Sequence, residues 1–364
     1  MLEKELFQMP FEGDLHHGTI MMLPYRMDTW REGGKVAYPS FLAIIRAIAQ
    51  YEKVYVLIDK RVSYDISELK KIQNVVLIDA KYDDCWSRDT SPIFVYNKNK
   101  KLTGIDFRFN AWGGSIDGLY ADYRADDRLA EFICKRLKTE HEYVKDFILE
   151  GGSIHTDGQG TFLTTEACLL SKGRNPKLTK EQIESYLVTY LGAKKVLWLP
   201  RGIYNDETNE HVDNVACFVK PGVIALAWTD DINDPQYPLS KLAFDYLKTS
   251  TDVNGKPFEI VKIKIPTPMY LQTEESNALK PNEDSKPRLP EDRLAGSYIN
   301  YYLGSNYVIL PKFGCKEDEE GYNTFKKLYP NHHIHQIDTK EILLGGGNIH
   351  CITMQIPELI KRGE

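Results

Sequence analysis

Cys351 closes the run Leu344-Gly345-Gly346-Gly347-Asn348-Ile349-His350-Cys351 and is the most informative residue in the sequence. Three consecutive glycines lift the restrictions a Cβ imposes and let other groups approach the residues after them closely. Those residues lead to a thiol, then to the β-favouring run Ile352-Thr353-Met354-Gln355-Ile356. A thiol at the mouth of a glycine turn suits a nucleophile; a small buried hydrophobe at a strand start is the plainer alternative. Three further polar clusters favour the chemical reading: Asp83-Asp84-Cys85-Trp86-Ser87-Arg88-Asp89, Glu150-Gly151-Gly152, and Glu207-Thr208-Asn209-Glu210-His211-Val212-Asp213. His211 and Asp213, two residues apart, are expected on one side of a strand. A thiol, an imidazole and several carboxylates fit attack on a cationic, carbon-centred electrophile. Carboxylates would hold the cation, Cys would attack and His would move protons.

These groups need a scaffold. Helical periodicity covers residues 36–51, 124–137, 180–191, 238–248 and 317–328. Short β-rich runs lie between, such as Val54-Tyr55-Val56-Leu57-Ile58 and Lys195-Val196-Leu197-Trp198-Leu199. The alternation predicts an α/β architecture. A polar turn followed by paired strands recurs at residues 84–95, 150–170, 207–228 and 345–356, so about five pseudosymmetric units around a shared centre are expected. Residues 266–294 are polar and proline-rich and read as a long loop, a lid rather than a linker. One catalytic domain over residues 1–364 is expected.

With 364 residues, 42% of them hydrophobic and 27% charged, the chain can bury a sizeable core. Net charge is −6 and no basic block points to nucleic acid. Residues 1–10 lack the apolar core of a signal peptide, and no run of 18 apolar residues predicts a membrane span. Six scattered cysteines without a CxxC pair read as reduced thiols, hence a cytoplasmic protein. His332-His333-Ile334-His335 lacks a second ligand pair, His16-His17 reads as a surface loop, and Asp83-Asp84 as a solvated turn.

The motifs together resemble the agmatine deiminase family of guanidine-modifying enzymes, related more distantly to bacterial peptidylarginine deiminases. They include Arg26-Met27-Asp28-Thr29-Trp30-Arg31, Trp86-Ser87-Arg88-Asp89, Phe109-Asn110-Ala111-Trp112-Gly113-Gly114, Gly173-Arg174-Asn175-Pro176, Glu207-Thr208-Asn209 with His211-Val212-Asp213, and residues 345–353, and they span nearly the whole chain. The resemblance implies a five-bladed pseudosymmetric α/β propeller, the pentein fold, with the site on its axis. It implies hydrolysis of agmatine to N-carbamoylputrescine and ammonia through a covalent thiouronium. By position, Cys351 matches the nucleophile, His211 the general acid/base, Asp89 and Asp213 the carboxylates that clamp the guanidinium, and Glu150 the acid supporting His211. Trp86 matches an aromatic beside the substrate, Glu207 a contact for the amine tail, and Gly346 and Gly347 the turn presenting the thiol. No metal and no organic cofactor is implied, and a homo-oligomer is the expectation for such an enzyme. Tyr25, Ser91 and Glu210 depart from the family pattern, Glu210 adding a charge beside His211. Other readings stay open: a deiminase of another small guanidine or of peptidyl-arginine, a diverged amine-binding paralogue without turnover, or a metal hydrolase built on His211, Asp213 and His350.

Overall fold

The computed structural model describes residues 7–359, and among these sixteen strands form five sheets. The first sheet holds β1 (His16–Met22), β2 (Lys53–Ile58) and β3 (Val75–Asp79) in parallel. Helix Tyr38–Ile48 crosses from β1 to β2 and buries Phe41, Ile44, Ile45 and Ile48, a spacing that gives it one apolar face.

Four modules then repeat one plan: an antiparallel pair, a crossover helix and a parallel third strand. The second module has β4 (Ile93–Tyr96), β5 (Leu102–Arg108), helix Leu129–Leu137 and β6 (Glu140–Ile148). The third has β7 (His155–Thr156), β8 (Thr161–Thr165), helix Lys180–Leu191 and β9 (Lys195–Leu199). The fourth has β10 (Ala216–Lys220), β11 (Val223–Trp228), helix Gln236–Thr249 and β12 (Glu259–Lys264). The fifth has β13 (Tyr302–Leu303), β14 (Tyr307–Lys312), helix Glu317–Leu328 and β15 (His333–Asp338). The middle strand of a module is covered on both faces, and β11 accordingly reads Val-Ile-Ala-Leu-Ala-Trp, buried throughout.

Strand β16 (Met354–Pro357) returns to the first sheet. It pairs antiparallel with β1, Thr19 opposite Gln355 and Ile20 opposite Met354. It supplies the hairpin partner that the first module lacks, completing a five-bladed α/β propeller.

The polar runs expected as turns before the strands fold as tight helical turns. Ser87–Thr90 precedes β4, Gly151–Ser153 precedes β7, and Val212–Val215 precedes β10. Turns at 298–300 and 349–352 precede β13 and β16. This corrects the strand placement of His211 and Asp213. His211 caps the turn Val212–Val215, and pairing of β10 begins only at Ala216. A helical turn rises about 1.5 Å per residue against about 3.3 Å in a strand, so it delivers more side chains to one small space.

Two other expectations are corrected. Asp83 and Asp84 are buried, not solvated: Asp83 Oδ2 accepts from Ala125 N at 2.7 Å, and Asp84 Oδ1 accepts from Trp30 Nε1 at 2.8 Å. His16 and His17 lie in β1, where the His16 ring meets Glu52 at 3.1 Å and the Glu12 carbonyl at 2.7 Å. Residues 266–294 contain the short helix Thr273–Asn277 and then strap the rim of the first two modules. Lys280 N bonds Met27 O at 2.8 Å, and Lys286 N bonds Leu119 O at 2.9 Å.

Candidate active site

Each module sends a side chain inward from the turn before its first strand. Asp89 comes from Ser87–Thr90, and Glu150 stands just before Gly151–Ser153. His211 and Asp213 come from the turn before β10, Asn300 from the turn before β13, and Cys351 from the turn before β16. All five residues expected to do the chemistry are thereby brought together.

Glycines make the meeting possible. A Cβ on Gly152 would lie 2.6 Å from His211 Nδ1 and 2.9 Å from both Asp213 Oδ2 and Asp89 Oδ1. A Cβ on Gly347 would lie 2.6 Å from the Trp86 ring and 3.1 Å from Cys351 Sγ. Gly346 adopts φ +110, which L side chains rarely adopt, and its bare face admits the Glu207 carboxylate.

The Cys351 thiol is almost fully buried. Its sulfur lies 3.1 Å from Asn300 Nδ2 and 3.7 Å from Asp213 Oδ2. Burial, and after it the charges of Asp213 and Asp89, push the thiol well above its ordinary pKa. At rest it is therefore protonated.

His211 is sealed from solvent, with Nδ1 3.9 Å from Asp89 Oδ2 and Nε2 3.9 Å from Glu150 Oε2. Burial opposes its charge. Asp89, Cys168 and Glu150 outweigh burial and raise its pKa to about 10. The resting imidazole is thus a cation and a proton donor. Glu150 is fully buried and meets the equally buried Arg174 Nε at 2.6 Å.

The two aspartates differ. Asp89 accepts from Gly152 N and Trp112 Nε1, both at 2.9 Å. Burial raises its pKa to about 6, with His211 opposing and Asp213 and Glu150 adding to the rise. Asp213 is also buried, but the hydrogen bond and charge of His350 hold it below the ordinary carboxylate value. Its Oδ2 takes His350 Nδ1 at 2.8 Å, while its Oδ1 is buried without a partner. A buried, unpartnered carboxylate oxygen is costly unless a ligand satisfies it.

A chamber of about 20 Å³ opens beside the sulfur, lined by Trp86, Asp89, Trp112, Leu119, Glu207 and Gly345 to Gly347 among others. Trp86 and Glu207 both line this chamber. Glu207, however, is already engaged: its Oε2 takes Arg288 Nη2 at 2.6 Å, and the same nitrogen donates to Gly345 O at 2.7 Å. Glu210 turns away from His211 to bond Arg201 and Gly202 N, so its charge does not face the imidazole.

Several participants escape sequence reasoning. Trp112 and Arg174 lie inside the family motifs, but nothing in their pattern assigns them a role. Asn300 sits in Ser297-Tyr298-Ile299-Asn300-Tyr301, which has neither glycine nor acid. The available signal is arithmetic: about five modules are expected against only four polar clusters. His350, a candidate metal ligand by sequence, instead bonds Asp213.

Comparison with known proteins agrees with this layout. Residues 8–357 match the model of the Porphyromonas-type peptidyl-arginine deiminase family. A Listeria monocytogenes protein named "Putative agmatine deiminase 1" is 46% identical over 355 residues, covering 98% of each chain. The structure of an agmatine deiminase of Enterococcus faecalis superposes with a TM-score of 0.93 at 38% identity, over 97% of this chain and 96% of that one. A substrate-bound Cys-to-Ser form of C. jejuni agmatine deiminase gives 0.84 at 27% identity, over 99% of both chains. With a turn from every module meeting around Cys351, and with a family model matched from end to end, the chain belongs to the Porphyromonas-type peptidyl-arginine deiminase family.

Proposed function

We propose that this protein hydrolyses the guanidinium of agmatine to N-carbamoylputrescine and ammonia, with Cys351 as nucleophile, and that residues 1–364 work as one catalytic domain. The observation that carries the reading is the buried, unpartnered Oδ1 of Asp213, whose other oxygen lies 3.7 Å from the thiol and, with Asp89 Oδ1, against the bare face of Gly152. A planar guanidinium donates hydrogen bonds in a fixed fork, and two carboxylates grip it in one orientation. Trp86 and Trp112 would flank the alkyl chain.

The resting state is a thiol and an imidazolium. An arriving guanidinium offsets Asp89 and Asp213, the two charges that hold the thiol's proton on, so substrate binding itself favours loss of that proton to solvent. The thiolate attacks the central carbon and the C–S bond forms. His211 gives its proton to one amino group, the C–N bond breaks and ammonia leaves a thiouronium on sulfur. His211, now neutral, takes a proton from water; the oxygen adds to carbon and the C–S bond breaks. The remaining hydroxyl proton returns to sulfur and the ureido product departs. The proton released at binding and the ammonia together make ammonium, which balances the reaction. Each step uses a side chain of this chain and requires no cofactor.

A preference for agmatine over arginine is expected because Glu207 lines the chamber and would meet the amine tail. The α-carboxylate of arginine would meet like charge there. Arg288 offsets part of that charge, so the expected preference in kcat/KM is on the order of 100-fold, equivalent to about 2.7 kcal/mol. Ammonia release would be measured across agmatine, arginine, methylated guanidines and an arginyl peptide. Equal turnover of agmatine and arginine would overturn the substrate assignment. Activity lost to phenanthroline and restored by zinc would instead favour a metal hydrolase. A cytoplasmic homo-oligomer remains part of the proposal. Its support is that no helix among the described residues is long and apolar enough to cross a membrane, and that enzymes of this size commonly self-associate.

A further inference from the structure

Below Cys351 lies a second cluster of charged groups that the proposed reaction does not use. Glu12, from the segment before β1, is 4% exposed, and Arg88, His155 and His350 around it are no more open. Arg88 Nη1 reaches Glu12 Oε1 at 3.1 Å. His350 Nε2 lies 2.9 Å from Glu12 Oε1 and 3.1 Å from Oε2. His155 Nε2 stands 3.5 Å from Oε2, while its Nδ1 accepts from Phe218 N at 3.3 Å, which makes His155 the neutral tautomer protonated on Nε2. Glu12 therefore receives three donors.

Two of these donors, Arg88 and His350, lead to the active site. Arg88 adjoins Asp89 in sequence, its backbone N bonds Cys351 O at 3.0 Å, and its Nε reaches His350 O at 3.3 Å. His350 adjoins Cys351, and its other nitrogen holds Asp213 Oδ2 at 2.8 Å. With both ring nitrogens against carboxylates, His350 must donate from both, which only the imidazolium can do. Two carboxylates, Glu12 and Asp213, then balance two cations, Arg88 and His350, in one buried space. Glu12, His155 and His350 would also suit a metal ion by their spacing, but the Arg88 guanidinium already supplies the positive charge an ion would bring.

We propose that Glu12 and His350 are positioning residues for the substrate clamp: Glu12 keeps His350 as a charged donor, and His350 fixes Asp213 with one oxygen turned to the guanidinium. Neither touches the reacting atoms. The proposal rests on the guanidine-hydrolase reading and names a control over its clamp. The groups facing His350 are Glu12, Arg88, His155, Asp213 and Cys351, with Tyr302 and Cys217 beyond Glu12. Of these, only Glu12 and Asp213 favour its charge.

Glu12→Gln keeps the shape and a hydrogen-bonding acceptor but removes the charge. Arg88 then disfavours the imidazolium, and His350 becomes neutral near neutral pH. The net charge behind the clamp is unchanged, because Glu12 and His350 lose opposite charges together, but Asp213 loses its nearest cation, 2.8 Å away, so the carboxylate pair it forms with Asp89 takes up a proton at higher pH. The expected results are an acid limb of kcat/KM moved up by about one pH unit and a KM for agmatine raised about tenfold, with kcat far less affected. Glu12→Asp, which retains the charge, should restore most of the limb. A merely structural role would lower the melting temperature and leave the limb in place, and a folded Glu12→Gln protein with an unmoved limb would overturn the proposal. Nitrogen-15 NMR of histidine-labelled wild-type protein gives a second arm that depends on no variant folding. Both ring nitrogens of His350 should be protonated at pH about 7.5, and a neutral His350 there would equally overturn it. This arm needs no substrate, so it stands apart from the outcome of the agmatine assay.

Discussion

Asn300 Nδ2 lies 3.1 Å from the sulfur of Cys351, while Asn300 Oδ1 accepts from the backbone N of His350 at 3.0 Å. One amide from the fifth module thus grips both the nucleophile and the loop that carries it. The same Nδ2 donates to Asn214 Oδ1 at 2.9 Å, so the amide is oriented from a third side.

Asn300→Ala should therefore lower kcat about 10–100-fold, since a donor near the reacting sulfur and the anchor of its loop go together, worth about 1.4–2.8 kcal/mol. Steady-state kinetics on agmatine would check this. Wild-type turnover in the alanine variant would mean that the glycine turn alone positions the thiol.

Asp89 and His211, both raised, bound the pH dependence, and release of the Cys351 proton on binding adds a rise of kcat/KM with pH between them. Asp89 is raised to about 6, so the clamp loses charge as pH falls through that value and kcat/KM should decline on the acid side with a midpoint near 6. His211 is raised to about 10, so its proton is present at all lower pH and no loss of activity is expected between pH about 7 and 9. A profile that drops with an ordinary imidazole midpoint would contradict the acid role of His211.

Reagent selectivity tests the protonated resting thiol. Neutral iodoacetamide should alkylate Cys351 slowly near neutral pH, because burial, Asp213 and Asp89 hold the proton on sulfur. A cationic haloacetamidine of guanidinium shape should alkylate it at least about tenfold faster by supplying the missing positive charge. Mass spectrometry would read both rates at the peptide carrying Cys351. Equal rates would mean that the thiolate is already formed without a cation in the clamp.

Arg288 and Glu207 form a partly exposed ion pair, of which Glu207 lines the chamber. Such pairs are worth about 0–1 kcal/mol. Freeing Glu207 by Arg288→Ala should lower the KM for agmatine up to about fivefold, and Glu207→Gln should raise it by a similar factor. A raised KM in Arg288→Ala would assign Arg288 to holding the strap of residues 280–288 rather than to competing for Glu207.

The modular plan is legible in the sequence because its signals are local. Helix Lys180–Leu191 carries a capping box, with Thr179 and Gln182 satisfying each other's backbone, and a glycine stop at Gly192 with φ +75. Lys195–Leu199 alternates with such helices as a short apolar strand should, and it is one. The site residues are legible where a motif marks them, as at Asp89, Glu150, His211 and Cys351. The hidden part depends on contacts between modules distant in sequence. Asn300 is 51 residues from Cys351 and Glu12 is 338 from His350; no periodicity records either meeting. His16 reads as loop because a polar pair suggests surface, yet Glu52 and Tyr302 give it partners inside. The helical turn at His211 is hidden for a related reason: two polar residues spaced by two fit a strand equally well until the register of β10 is known.

The pairing of β16 with β1 also sets an order of assembly. During synthesis the first four modules and the fifth can emerge and fold while β1 still presents an unpaired edge. The nucleophile and the strand that covers that edge leave the ribosome together, after the four other turns that carry the site. A nascent chain stopped before residue 351 therefore holds the carboxylates and the imidazole but no sulfur to attack with, so chemical competence arrives in the same stretch of translation that closes the ring.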